Sequence, residues 1–96
     1  MININITKDE IIIKGHAGFS EYGTDIVCAA VSSIAITTVN AILKLSPETI
    51  KYKEKNGFLK IQILKENEIT LKLINNMISL LEELEKQYPK NIKITN

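Results

Sequence analysis

The residues able to do chemistry crowd into one stretch of this chain. Gly15 to Ser33 reads Gly-His-Ala-Gly-Phe-Ser-Glu-Tyr-Gly-Thr-Asp-Ile-Val-Cys-Ala-Ala-Val-Ser-Ser. It holds the only histidine, His16, the only cysteine, Cys28, and three of the four glycines. An imidazole that takes a proton from a thiol leaves a thiolate, which is the nucleophilic form of sulfur. Asp25 lies between the two and has two readings. As a third member of the site it would orient His16 or favour its charged form. As a helix cap it would accept a backbone amide of Ile26, Val27 or Cys28.

Each residue also has a plainer use. Cys28, between Val27 and Ala29 in an apolar run, fits as a small buried hydrophobe. A lone histidine at a strand end is commonly a surface or hydrogen-bonded group. Position and pairing favour chemistry. With Thr24 or Asp25 as cap, Cys28 falls at the third or fourth helical position, where unpaired amides and the helix dipole stabilise a thiolate. Gly15, Gly18 and Gly23 allow the backbone to approach a substrate closely or adopt positive φ. Phe19, Glu21 and Tyr22 fall in the loop; Glu21 and Tyr22 read as solvated there, though either could touch substrate, and Phe19 is a further candidate for substrate contact. Ser32 lies one turn beyond Cys28 on the same helix face and reads as a polar contact beneath the site. One Cys, one His and one Asp supply three metal ligands at most, without the usual paired spacings, so neither a metal nor a cofactor is expected.

The flanking sequence provides elements to carry these groups. Ile2, Ile4 and Ile6 alternate with Asn3 and Asn5, the period-2 pattern of a strand with one buried face. Lys8-Asp9-Glu10 makes a turn, and Ile11 to Lys14 returns as the second strand of a hairpin. A helix then runs from Thr24 or Asp25 to about Leu45, apolar around most of its cylinder and stopped by Ser46-Pro47-Glu48. Ile50 and Tyr52 begin a third strand. Asn56-Gly57 turns it into a fourth, with Leu59, Ile61 and Ile63 on one face. Asn67 or Glu66 opens a second helix. There Leu73, Ile74, Met77, Ile78, Leu81, Leu84 and Tyr88 form one apolar stripe that ends at Pro89. Ile92 and Ile94 alternate in a last short strand. The order ββαββαβ predicts a single α+β domain over residues 1–96, with two helices packed on a mainly antiparallel sheet.

The combined motif Gly-His-Ala-Gly, a short loop, then Gly-x-Asp-Ile-Val-Cys-Ala-Ala-Val-Ser resembles the ribosomal-processing cysteine protease (Prp) family of bacteria. The match is close over Gly15 to Ser33, and element order and length fit across the whole chain. By that resemblance Cys28 is the nucleophile, His16 the base and Asp25 the family's acidic position. It implies as substrate the N-terminal extension of a ribosomal large-subunit protein. It further implies a homodimer and a loop that closes over the peptide. His16 would deprotonate Cys28, backbone amides near the helix start would hold the oxyanion, and water would hydrolyse the thioester.

Composition limits the alternatives. A chain of 96 residues with 45% hydrophobic content supports one core. A net charge of +1 gives no field that predicts a nucleic acid or anionic membrane partner, and all twelve basic residues are lysine. One cysteine cannot close an intramolecular disulfide, and no basic segment leads into an apolar leader, so a cytoplasmic protein is expected. The uncharged run from Ile26 to Leu43 approaches membrane-spanning length, but its serines, threonines and asparagine suit a helix inside a small domain. Two other classes compete with the protease. One is a ribosome-associated or RNA-binding module using the lysines between 51 and 60. The other is an anion-binding domain at the helix start, disfavoured by Asp25 and by the lack of a phosphate-loop motif.

Overall fold

The computed structural model describes residues 1–15, 22–55 and 57–96, and for 22–25 the backbone alone. The elements are β1 (Ile2–Ile6), β2 (Glu10–Lys14), α1 (Tyr22–Leu45), a short 3₁₀ turn (Pro47–Thr49), β3 (Ile50–Lys55), β4 (Phe58–Ile63), α2 (Glu68–Gln87) and β5 (Ile92–Thr95). The ββαββαβ order expected from the alternating patterns is the order observed.

The strands form one sheet in the order β3-β4-β2-β1-β5. Neighbours are antiparallel except β1 and β5, which run parallel. These pairings make β2 and β3 run the same way, and likewise β4 and β5. Strands that share a direction need a crossover between them, and a helix is its usual form. α1 and α2 are those crossovers, and they pack against each other as well as against the sheet.

Alternation along the strands sends Ile2, Ile4, Ile11, Ile13, Ile50, Leu59, Ile61 and Ile92 to the helix-covered face, all of them buried. α1 meets them with Val27, Cys28, Val31, Ala35, Val39 and Ile42, and α2 with Ile74, Met77 and Leu81. Burying side chains of this size contributes about 1.5–3 kcal/mol each, so the sandwich of helices and one sheet face is the main source of stability. α1 is apolar and long enough to cross a membrane by composition, with mean hydropathy 2.1 over Ile26–Leu45. Its inner stripe nevertheless belongs to the core of the domain.

Local signals fix the ends. Asn67 caps α2, its side chain accepting a hydrogen bond from the Thr70 amide at 3.1 Å. Gly57 takes φ of 73° in the turn joining β3 to β4, a conformation that other residues adopt at a cost. A pair that no pattern revealed joins the segment after α1 to the start of α2: the buried hydroxyls of Thr49 and Thr70 lie 2.8 Å apart. The last strand is tied down in a similar way, the Ile94 amide donating to the Glu85 carboxylate of α2 at 2.8 Å.

Two expectations about α1 are corrected. The helix begins at Tyr22, so Thr24 and Asp25 are its third and fourth residues and neither is its cap. Tyr22 and Gly23, read as loop, belong to its first turn. Thr and Asp are cap-type residues, yet Asp is also favourable within the first turn, and the propensity cost of Gly or Thr there is only about 0.5–1 kcal/mol. Nor is α1 buried all round. Ile26 is 66% exposed, and Ala29, Ser33, Thr37 and Asn40 continue an exposed, uncharged flank.

Candidate active site

The crossover from β2 to β3 dictates where the chemistry-bearing stretch must go. α1 carries the chain back along the covered face, so it starts at the end of the sheet where β2 finishes. Gly15 marks that finish. It takes φ of 84°, in the left-handed region, and so turns the chain out of the strand at a position that suits only glycine without strain. Its amide donates to the Gly57 carbonyl at 2.8 Å, which pins the exit of β2 to the β3–β4 turn. His16 is the next residue in the chain. His16, Gly18, Phe19 and Glu21 lie outside the described residues, as does the substrate-closing role expected of Phe19 to Gly23.

Cys28 faces the core from the second turn of α1, as its seventh residue. The expected place in the first turn is therefore corrected. The first four amides of a helix lack intrahelical partners, and those of α1 belong to Tyr22, Gly23, Thr24 and Asp25. The amide of Cys28 is inside the ladder, and the dipole's influence fades beyond the first turn. A helical Cα–Cβ bond tilts toward the N-terminus, however, so the sulfur leans back over the turn that holds Thr24 and Asp25. A larger share of any thiolate stabilisation must then come from a neighbouring cation than the cap-based reading assigned.

Burial adds a distinction within the helix. Cys28 is 8% exposed, whereas Val27, Val31, Ala35, Val39 and Ile42 on the same stripe are 0–1% exposed. The thiol is at the rim of the core, beside the open end where Ile26 already reaches water. Ser32, one turn on, is half-buried, consistent with a polar contact under the site. The arrangement combines a single thiol at a core margin, a glycine exit from the neighbouring strand and an uncharged helix behind them. Such a site can hold a nucleophilic sulfur, and Asp25 is the charged residue nearest to it along its own helix.

Elsewhere the fold perturbs a titration on β3. Tyr52 of β3 is pushed up to about 12, first by burial and then by its hydrogen bond to Glu54 at 2.9 Å and that carboxylate's charge. It belongs to the far edge strand and has no place in the thiol chemistry.

Comparison with known proteins takes in nearly the whole chain. Residues 1–93 match the family model described as cysteine protease Prp. The ribosomal processing cysteine protease Prp of Staphylococcus aureus is 35% identical, over 98% of this chain and 97% of its own. That of Bacillus subtilis is 31% identical, over 86% of this chain and 80% of its own. Among solved structures, the S. aureus essential ribosomal processing protease Prp in complex with a substrate peptide superposes with a TM-score of 0.86. The two are 28% identical, over 98% of this chain and 95% of that one. The same S. aureus protease with a covalently linked product peptide gives a TM-score of 0.82 at 29% identity, with the same coverage.

Proposed function

This chain belongs to the Prp family of ribosomal processing cysteine proteases, and from that premise we propose that Cys28 is its nucleophile and His16 its general base and acid. The observation that carries the proposal is the residue inventory: a cysteine protease needs a thiol and a proton carrier, and this sequence holds one cysteine and one histidine. The placement of Cys28 and of the β2 exit supports it. The thiol stands at the core margin near the end of the sheet where β2 delivers Gly15 and, next in the chain, His16.

In the reaction, His16 removes the thiol proton and the Cys28 sulfur attacks the scissile carbonyl carbon, giving a tetrahedral oxyanion. Backbone amides of Gly18 or of the first turn of α1, Tyr22 and Gly23 among them, stabilise that charge, since the first turn has donors unused by its own helix. Collapse breaks the C–N bond as His16 protonates the leaving amine. Water, deprotonated by the same imidazole, then hydrolyses the thioester and restores the thiol. Asp25 orients His16, a role strengthened by its not being the helix cap. Ser32 supports the site from below, and Phe19 and Tyr22 line the bound peptide, over which the segment from Phe19 closes.

The substrate is the N-terminal extension of a ribosomal large-subunit protein, cut in the cytoplasm. The enzyme works as a homodimer that buries the uncharged flank of α1. The bound substrate peptide in the S. aureus relative supports the peptide class of this substrate.

The test is incubation with N-terminal extension peptides of ribosomal proteins, with the cut located by mass spectrometry. Wild-type protein is expected to yield one cut, and Cys28→Ser and His16→Ala none. A folded Cys28→Ser variant that still cuts overturns the assignment. Alkylation of Cys28 against pH supplies a second reading: a shoulder well below pH 8 that vanishes in His16→Ala marks an imidazole-activated thiol.

A further inference from the structure

The face of the sheet that no helix covers concentrates the charge of the molecule. Strand registers align its side chains in rows. One row runs Lys55, Phe58, Lys14, Asn3, Lys93 across β3, β4, β2, β1 and β5. The next runs Lys53, Lys60, Ile12, Asn5, Thr95, and the third holds Lys51, Gln62 and Glu10. Six of the twelve lysines therefore share one face, and Glu10 is the acidic residue that the registers place among them. Glu10 pairs with Lys60 at 3.1 Å. Lys14, Lys51, Lys53, Lys55 and Lys93 are exposed.

Five other carboxylates lie on the opposite side. Glu68, Glu82, Glu83 and Glu85 are on α2, and Glu54 pairs across from Leu59 on the helix-covered side. The chain-wide charge of +1 thus conceals a strongly cationic surface. Local fields, and not net charge, steer a charged partner to a surface.

We propose that this open sheet face binds single-stranded RNA without reading its sequence, independently of the thiol site. Three features point to that occupant. A shallow groove lined by Lys51, Lys53, Lys60 and Gln62 crosses β3 and β4, offering ammonium groups along a track as a phosphate backbone requires. Half-buried Phe58 lies in its row between Lys55 and Lys14, an aromatic plate flanked by two cations. That alternation suits stacked bases joined by phosphates, whereas an acidic peptide needs no ring. The lack of any arginine removes the side chain best suited to bidentate base recognition, which leaves backbone contacts and stacking.

The test is fluorescence anisotropy with a labelled oligouridine of about twelve nucleotides, titrated at several salt concentrations. If roughly four lysines engage phosphates, log K falls against log[salt] with a slope of roughly −3. Lys51→Gln/Lys53→Gln/Lys55→Gln should weaken binding by tenfold or more. Lys72→Gln/Lys86→Gln/Lys90→Gln, which removes the same net charge away from this face, should stay within about twofold. Phe58→Leu keeps an apolar group in place and should still cost at least about fivefold. Cleavage of the extension peptide by each variant verifies folding, because none of these residues serves the thiol site. No binding by wild-type protein overturns the proposal, and so does equal loss in the two triple variants. An unchanged Phe58→Leu together with displacement of the RNA by polyglutamate points to an acidic protein and overturns it as well.

Discussion

The two helices lie side by side on the same sheet face yet are built to opposite plans. α2 buries Thr70, Ile74, Met77 and Leu81 and gives water Lys72, Asn75, Asn76, Glu82 and Glu83. That is what covering a core requires, and nothing more. α1 buries an equally regular stripe, but no charged residue occurs between Asp25 and Lys44, and Ile26, Ala29, Ser33, Thr37 and Asn40 face outward. A fold does not demand an uncharged outer flank on a crossover helix. By our proposal α1 has duties besides covering the core: a nucleophilic thiol at one end and a second subunit along its side. On that proposal α2 belongs to stability and α1 to function.

Substitutions can break that division. The widest separation is expected between Cys28→Ala and Leu81→Ala. The first should abolish peptide cleavage while shifting stability little. Leu81 is fully buried, and its truncation should cost about 2–5 kcal/mol in denaturant unfolding while leaving the activity of the folded fraction unchanged. If Cys28→Ala unfolds the protein as Leu81→Ala does, the sulfur is packing and the contrast between the helices fails. Next comes the outer flank. Ala29→Glu adds a charge to an exposed position and should convert dimer to monomer in sedimentation without lowering monomer stability by more than about 0.5 kcal/mol.

A smaller effect concerns the Thr49–Thr70 hydroxyl pair that ties the 3₁₀ turn after α1 to the start of α2. Thr49→Val alone strands a buried hydroxyl and should cost about 1–3 kcal/mol, whereas adding Thr70→Val should recover part of that loss. Additive losses would mean that the hydroxyls do not act as a pair. The gentlest test is pH. Tyr52 keeps its proton up to about 12, while an exposed tyrosine loses it near 10. The folded state then holds more protons than the unfolded state between those values. This contribution is therefore complete below about pH 10 and lost as pH rises toward 12. Tyr52→Phe should flatten that alkaline decline in stability and leave the neutral-pH profile of cleavage unaltered.

Much of this was legible in the residues themselves. Isoleucine alternation in residues 2–6 and 11–13, the Asn56-Gly57 turn and the Asn67 cap each act within a few residues, so local pattern located β1, β2, the β3–β4 hairpin and α2. The start of α1 was misplaced for a physical reason: Thr24 and Asp25 satisfy the chemistry of a cap and of a first turn almost equally. That misplacement moved Cys28 by a turn. The Thr49–Thr70 pair and the Glu85 contact to Ile94 join residues far apart in the chain, and no periodicity carries them. Of the lysine face, the run between 51 and 60 was visible in the sequence, but its union with Lys14 and Lys93 was not, because net charge adds up what the sheet separates.

Sequence alone supplied the candidate reacting atoms, one sulfur and one imidazole within a glycine-rich stretch, and it determined the elements around them, since side-chain period is a local property. Tertiary structure decided what lies beside what: that β5 joins β1 in parallel, that the thiol meets the rim and not the heart of the core, and that six lysines from four strands share one surface. Those outcomes depend on pairing across the sheet and on which face the crossovers cover, and both are settled only when distant segments compete for the same buried area.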